Sequence, residues 1–178
     1  VRADIQEVLV DEAALKKRIS EMGQELTKTY QDKNPLLIGV LKGSAIFMAD
    51  LIRVMDVPME IDFLKASSYG NEARSSGNVQ LKTDISMDVK DRYILLVEDI
   101  IDTGNTLKFL MESFASLGAR EVKVCSLLNK HERREQQVTA DYIGFEIPNE
   151  FVVGYGLDFA QKYRNLPYIG ILKKEIYE

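Results

Sequence analysis

Apolar and polar positions along this chain follow two rhythms, one helical and one strand-like. From Asp11 to Gln31 the residues Leu15, Ile19, Met22, Leu26 and Tyr30 recur every three or four positions, which lines them up on one face of an amphipathic helix. Leu36 to Leu41 is a nearly unbroken apolar run after Asn34-Pro35, the pattern of a strand buried on both faces. Lys42-Gly43-Ser44 then turns the chain into a second helical stretch, Ala45 to Met55. A further strand-like run covers Met59 to Leu64. Tyr93 to Val97 reads as a buried strand, and Leu107, Leu110, Met111, Phe114 and Leu117 mark a helix that ends near Gly118. Strands are also expected at Val122 to Leu128, Tyr142 to Phe145, Phe151 to Val153 and Tyr168 to Leu172.

Strands that alternate with helices imply an α/β fold, with a central, mostly parallel sheet flanked by helices. The segment from about residue 144 to 178 has no helical period and reads as a small strand-rich subdomain. Between Ser67 and Asp91 the chain is polar, contains glycine and sustains no apolar period. Loops of that length inside compact domains are uncommon and often functional. The 178 residues fit one domain, because a single core ordinarily serves up to about 200 residues.

Composition narrows the chemistry. No apolar run approaches the roughly 18 residues of a membrane span, and Val1 to Asp11 lacks a basic head followed by an apolar stretch, so a cytoplasmic protein is expected. With one cysteine, Cys125, and one histidine, His131, neither an internal disulfide nor a zinc site of the usual Cys/His type is expected. A metal here would be hard and oxygen-bound. The net charge of -5 argues against general nucleic-acid binding, which needs a basic face to neutralise phosphates.

One segment concentrates polar chemistry. Glu98 to Thr106 follows a buried strand, at the end where ligands bind in open parallel sheets. Thr103, Gly104, Asn105 and Thr106 combine hydroxyls, a glycine and a helix N-terminus, which suits one phosphate. Glu98, Asp99 and Asp102 stand close to that phosphate and would repel it. Sugar hydroxyls that donate to the carboxylates, together with a magnesium ion that prefers oxygen, would relieve the conflict. The plainer alternative is an acidic helix start with a threonine cap, although three acids at a buried strand end then need partners. The Gly-x-x-x-x-Gly-Lys-Ser/Thr pattern of a Walker loop is absent.

The run Val97-Glu98-Asp99-Ile100-Ile101-Asp102-Thr103-Gly104-Asn105-Thr106 resembles the phosphoribosyl pyrophosphate signature of the type I phosphoribosyltransferases. Within that superfamily the chain is similar to the hypoxanthine-guanine branch along nearly its whole length. The likeness is carried by Leu41-Lys42-Gly43, Ser67-Ser68-Tyr69-Gly70, Ser126 to Lys130, Gly144 to Pro148 and Phe151 to Asp158. It implies the type I fold with a small C-terminal hood, about 144 to 178, and a mobile lid, about 67 to 91. It also implies displacement of pyrophosphate from the anomeric carbon of phosphoribosyl pyrophosphate by hypoxanthine or guanine, giving IMP or GMP, in a homodimer or homotetramer.

The resemblance also implies roles. Glu98 and Asp99 would hold the ribose hydroxyls, and Asp102, Thr103, Gly104, Asn105 and Thr106 would bind the 5'-phosphate. Asp102 would be the general base near purine N7. Lys42, Gly43 and Ser44 match the pyrophosphate loop, where a strained Leu41–Lys42 peptide would expose backbone N–H groups. Ser44 departs from the glycine common in related enzymes. Arg164 would reach the pyrophosphate, and Ser68 and Tyr69 would arrive with the lid. Asp158 would serve a second magnesium and the purine, so that Glu98, Asp99 and Asp158 form the metal set. Lys130 carries only donors and would select a 6-oxopurine over adenine; Phe151 would stack on the base and the Val152 backbone would meet its edge. Two rivals stand beside this reading. One is a regulator of the same fold that binds the sugar phosphate or RNA without catalysis, and the other is a xanthine-preferring enzyme.

Overall fold

The computed structural model describes residues 1–65 and 85–178. In chain order its elements are β1 (Ile5–Val10), α1 (Glu12–Thr29), β2 (Leu36–Leu41), α2 (Ala45–Arg53), β3 (Glu60–Lys65), β4 (Tyr93–Ile101), α3 (Asn105–Ser116) and β5 (Glu121–Asn129). They continue with β6 (Tyr142–Glu146), β7 (Val152–Val153), β8 (Ile169–Leu172) and a final turn of helix, α4 (Lys174–Tyr177). Strands β3-β2-β4-β5-β6 form a parallel sheet in that order, and β1-β8-β7 form a separate antiparallel sheet.

Alternation along the buried strands sorts their side chains onto two faces. Leu37, Leu95, Val97, Cys125 and Leu127 point to the side covered by α1 and α2, where Leu15, Ile19, Met22, Leu26, Tyr30, Phe47 and Leu51 meet them. Leu36, Ile38, Val40, Ile94, Leu96 and Val124 point to the other side, against Leu107, Leu110 and Phe114 of α3. Helix α1 starts where Asp11 accepts a hydrogen bond from the Ala14 N–H at 2.8 Å, a side-chain cap that satisfies one otherwise unpaired donor. Among the described residues no helix is long and apolar enough to cross a membrane.

The order 3-2-4-5-6 places the site. From β2 the chain moves outward to β3, and from β4 it moves the opposite way to β5, so the direction reverses between β2 and β4. Loops that leave the carboxyl ends of two such strands diverge and open a crevice. Here those loops begin at Lys42 and Asp102.

Three expectations need correction. Strand β4 does not stop at Val97: Glu98, Ile100 and Ile101 pair with Ser126, Leu128 and Asn129 of β5, so the loop proper is only Asp102 to Gly104. The hood does not begin at 144 and is not purely C-terminal. Residues 144 to 146 belong to β6 of the main sheet, whereas the second sheet recruits β1 from the N-terminus. Strand β1 escapes a period-of-two search because its pairing with β8 is interrupted by register shifts between Ile5 and Glu7 and between Val8 and Val10. Finally, the last part of the expected lid is anchored, since Ile85 and Val89 are buried in the α3-side core. Ser68 and Tyr69 lie outside the described residues.

Candidate active site

The β2–α2 loop meets the carboxyl end of β4 where Gly43 faces Asp99. A β-carbon placed on Gly43 would lie 1.8 Å from a carboxylate oxygen of Asp99, so only glycine lets the β2–α2 turn approach this acid. The Leu41–Lys42 peptide bond is cis. Ser44 does not serve as expected. Its side chain is fully buried and its hydroxyl donates to the Val40 carbonyl at 2.7 Å, so it has no proton left for a phosphate in the cleft.

On the other loop, Gly104 adopts a left-handed φ of 89° at the N-cap of α3, a conformation glycine reaches without steric cost. Residues Glu98 and Ile100 to Leu107 line a cleft of about 170 Å³ at this helix start. Thr103, Asn105 and Thr106 are among them, and backbone N–H groups of the first helical turn, which have no partner within the helix, suit an anion there.

Sequence reasoning missed what braces this loop. The Thr103 carbonyl accepts from the N–H groups of Glu135 (2.9 Å) and Gln136 (3.1 Å). The Asn105 side chain donates to Glu135 at 2.9 Å and accepts from Gln136 at 2.9 Å, and its backbone N–H lies 3.4 Å from the Thr103 hydroxyl. Arg134 donates to the carbonyls of Asp102 and Val138 and to the Asn129 side chain, which in turn donates to both carboxylate oxygens of Glu146. Residues 131 to 140 form one short 3-10 turn and irregular chain, so no periodicity in the sequence betrays their role.

The acids occupy distinct places, as adjacent strand residues must. Glu98 is buried and lines the cleft, while Asp99 is half-buried against Gly43. Burial pushes the Glu98 carboxyl well above its usual pKa, and the Asp99 charge pushes it further. Burial also raises Asp99, to about 6, against the opposing pull of hydrogen bonds from backbone N–H groups and of Arg164. Two carboxylates that resist ionisation call for a cation.

Magnesium suits this donor set, because it takes one or two carboxylates and completes its shell with water and substrate oxygens. Among the described residues no three of His, Cys, Asp and Glu gather as a closed metal cage. Glu98, Asp99 and Asp158 therefore do not converge on one point. Asp158 accepts from the Gln161 N–H at 2.9 Å and pairs with Arg164 at 3.4 Å.

Asp102 and Lys130 flank the cleft. Oδ1 of Asp102 is buried and pairs with Nε of Arg133 at 3.1 Å, although among the described residues no donor is aligned for a hydrogen bond to it. Lys130 follows β5, its N–H donating to the Ile101 carbonyl at 2.9 Å. Burial lowers its pKa, the Asp102 charge opposes that shift, and among the described residues no acceptor takes a hydrogen bond from its ammonium. Val152 pairs with Ile171 in the hood. The Phe151 ring stacks on Tyr177, with centroids 4.7 Å apart, and meets Phe159 edge-on at 5.6 Å.

Comparison with known proteins agrees with this geometry. Residues 6–160 match the phosphoribosyl transferase domain model. The chain belongs to the phosphoribosyl transferase domain family. Within that family it is 51% identical over 178 residues to a hypoxanthine-guanine phosphoribosyltransferase of Bacillus subtilis, covering 100% of this chain and 99% of the relative. A solved hypoxanthine phosphoribosyltransferase from Staphylococcus aureus superposes with a TM-score of 0.91 at 44% identity, covering 99% of this chain and 96% of that one. A solved hypoxanthine-guanine-xanthine phosphoribosyltransferase gives 0.87 at 37% identity, covering 99% of each chain. The fold is thus the type I phosphoribosyltransferase fold, a parallel sheet with flanking helices.

Proposed function

We infer that this protein is a purine salvage enzyme that transfers the phosphoribosyl group of phosphoribosyl pyrophosphate to hypoxanthine or guanine, giving IMP or GMP and pyrophosphate. The observation that carries the reading is the approach of the β2–α2 loop to the carboxyl end of β4 at the sheet's switch point. Lys42-Gly43 is pressed against Asp99, and Asp102 to Thr106 open a phosphate-sized cleft at the start of α3. The regulator reading needs a basic nucleic-acid face, and nothing favours it over this cleft.

In this reading the 5'-phosphate takes the backbone N–H groups and hydroxyls of Thr103 to Thr106, and the ribose hydroxyls donate to Glu98 and Asp99. Glu98 and Asp99 would hold one magnesium ion and Asp158 would serve a second, and such an ion would supply positive charge to balance the departing pyrophosphate. Lys42, Gly43 and Arg164 fix the pyrophosphate end. The Lys130 ammonium, from which no acceptor among the described residues takes a hydrogen bond, donates to the 6-oxo group, which adenine lacks. Phe151 supplies a stacking face and the Val152 backbone meets the purine edge. Asp102 Oδ1 is ion-paired with Arg133 at 3.1 Å but accepts no aligned hydrogen bond among the described residues, which supports its role as acceptor of the purine proton while the bond to the anomeric carbon forms and the bond to pyrophosphate breaks. Ser68 and Tyr69, which lie outside the described residues, would add contacts to the pyrophosphate. The same reading puts the enzyme in the cytoplasm as a homodimer or homotetramer.

A steady-state panel tests this: phosphoribosyl pyrophosphate and magnesium with hypoxanthine, guanine, xanthine or adenine, with and without chelator. Chelator-sensitive nucleotide formation from hypoxanthine and guanine, with adenine inert, is expected. Turnover of xanthine above both would replace the substrate assignment, and sugar-phosphate binding without turnover would favour a regulator.

A further inference from the structure

Gln161 occupies an unusual place at the mouth of the site. Phe159 and Lys162 exchange backbone hydrogen bonds at 3.1 and 3.0 Å, which leaves Ala160 and Gln161 as the two central residues of a tight turn. Both are left-handed, with φ of 50° and 66°. Such turns favour Asn-Gly, because other side chains adopt this conformation at a cost. Neither residue here is glycine or asparagine.

The Gln161 side chain shows what the turn secures. Its single amide oxygen accepts from Lys42 Nζ at 3.1 Å and from the Arg164 guanidinium at 3.1 Å. The Gln161 backbone N–H donates to Asp158 at 2.9 Å, and the Arg164 guanidinium also donates to the Gly156 carbonyl at 2.6 Å. One residue thus joins the β2–α2 loop to the Asp158 loop, 119 positions away from Lys42 in sequence. Lysine and arginine only donate, and two like charges side by side repel, so holding them together needs an acceptor between them. A carboxylate would do this by neutralising them. An amide oxygen does it without adding a charge: Lys42 keeps its own for an incoming anion, and Arg164, which already pairs with Asp158 at 3.4 Å, is not neutralised further.

We propose that Gln161 is a positioning residue for the pyrophosphate group: a neutral clamp that holds Lys42 and Arg164 together and yields them, still charged, to the ligand. The proposal rests on the phosphoribosyltransferase reading above. It separates the two halves of the substrate pair, because the side-chain amide touches only Lys42 and Arg164, both assigned to pyrophosphate, while the contact to Asp158 is made by the backbone N–H and survives every substitution of the side chain.

The test uses the full chain and three variants: Gln161→Ala, Gln161→Glu, and the double change Ala160→Asn with Gln161→Gly. The double variant carries the residues this turn prefers, so it keeps or improves the turn while removing the clamp. The readouts are the KM for phosphoribosyl pyrophosphate, inhibition by pyrophosphate, the KM for hypoxanthine and the thermal midpoint. Loss of the two side-chain hydrogen bonds should weaken phosphoribosyl pyrophosphate and pyrophosphate about 3- to 10-fold in Gln161→Ala and in the double variant. The hypoxanthine KM should stay within about twofold. Gln161→Glu should lose as much or more at low salt and recover part of it as salt screens the competing ion pairs. If the double variant binds pyrophosphate like the parent, or if both KM values move together, the clamp is wrong. Absence of turnover in the parent would strike the functional reading first; parental turnover with unchanged variants would strike the clamp alone.

Discussion

Replacing Asp99 by Asn should make the ligand-free protein more stable at neutral pH while disabling its site. The folded structure raises the Asp99 carboxyl from 3.8 to about 6, with burial as the main cause. An acid whose pKa rises on folding binds its proton more tightly in the native state than in the unfolded chain. Between the two values the native protein carries more protons, so its stability falls as pH rises, and above the folded value the full penalty applies. The interval corresponds to about 3 kcal/mol above pH 7 and roughly half of that at pH 5. Asp99 is half-buried, and solvent screening brings the expected gain to about 1–3 kcal/mol. Asn keeps the acceptor that the Ile100 N–H uses at 2.8 Å, and removal of this charge also relieves Glu98. For a chain of this size the gain corresponds to a rise in thermal midpoint of roughly 3–8 °C. Calorimetry of parent and variant at pH 5.0 and 7.5, without magnesium, measures it. Magnesium with phosphoribosyl pyrophosphate should then stabilise the parent and leave the variant nearly unmoved. A variant no more stable than the parent at pH 7.5, or a gain of equal size at both pH values, would refute the reasoning.

Other consequences follow from individual contacts. Asp102→Asn should lower turnover about 10²- to 10⁴-fold and leave the KM for phosphoribosyl pyrophosphate within a few-fold; equal damage to both would remove it as the base. Lys130→Ser should raise the hypoxanthine KM about tenfold or more, the cost of a charge-assisted hydrogen bond, without a matching rise for the sugar phosphate. Arg134→Ala should destabilise the fold by about 1–3 kcal/mol, because it strips donors from the carbonyls of Asp102 and Val138 and from Asn129, and unfolding in urea should show it. A neutral result would mean that the 131–140 segment does not brace the loop.

The elements with a strong rhythm are legible in the order of residues alone. Leu15, Ile19, Met22 and Leu26 face the core from α1, and the apolar runs of β2 and β4 lie at the centre of the sheet. The segment from Glu98 to Thr106 is legible as a site too, because carboxylates at the end of a buried strand need a reason to be there. What escapes is non-local or irregular. Strand β1 is interrupted by register shifts, and it pairs with a strand more than 150 positions away. Arg134, Glu135, Gln136 and Gln161 act from loops without periodicity, and only the fold brings them to Asp102, Asn105 and Lys42. Ser44 misleads for the opposite reason: a hydroxyl in a phosphate loop suggests a donor, yet its hydrogen bond to Val40 is a local contact that leaves no trace in composition.

The most direct test of the account is a quenched single turnover with enzyme in excess over phosphoribosyl pyrophosphate, saturating hypoxanthine and magnesium, with products separated and counted. Equimolar IMP and pyrophosphate are expected, formed at one rate. Pyrophosphate released without nucleotide, or sugar phosphate bound and left intact, would contradict it.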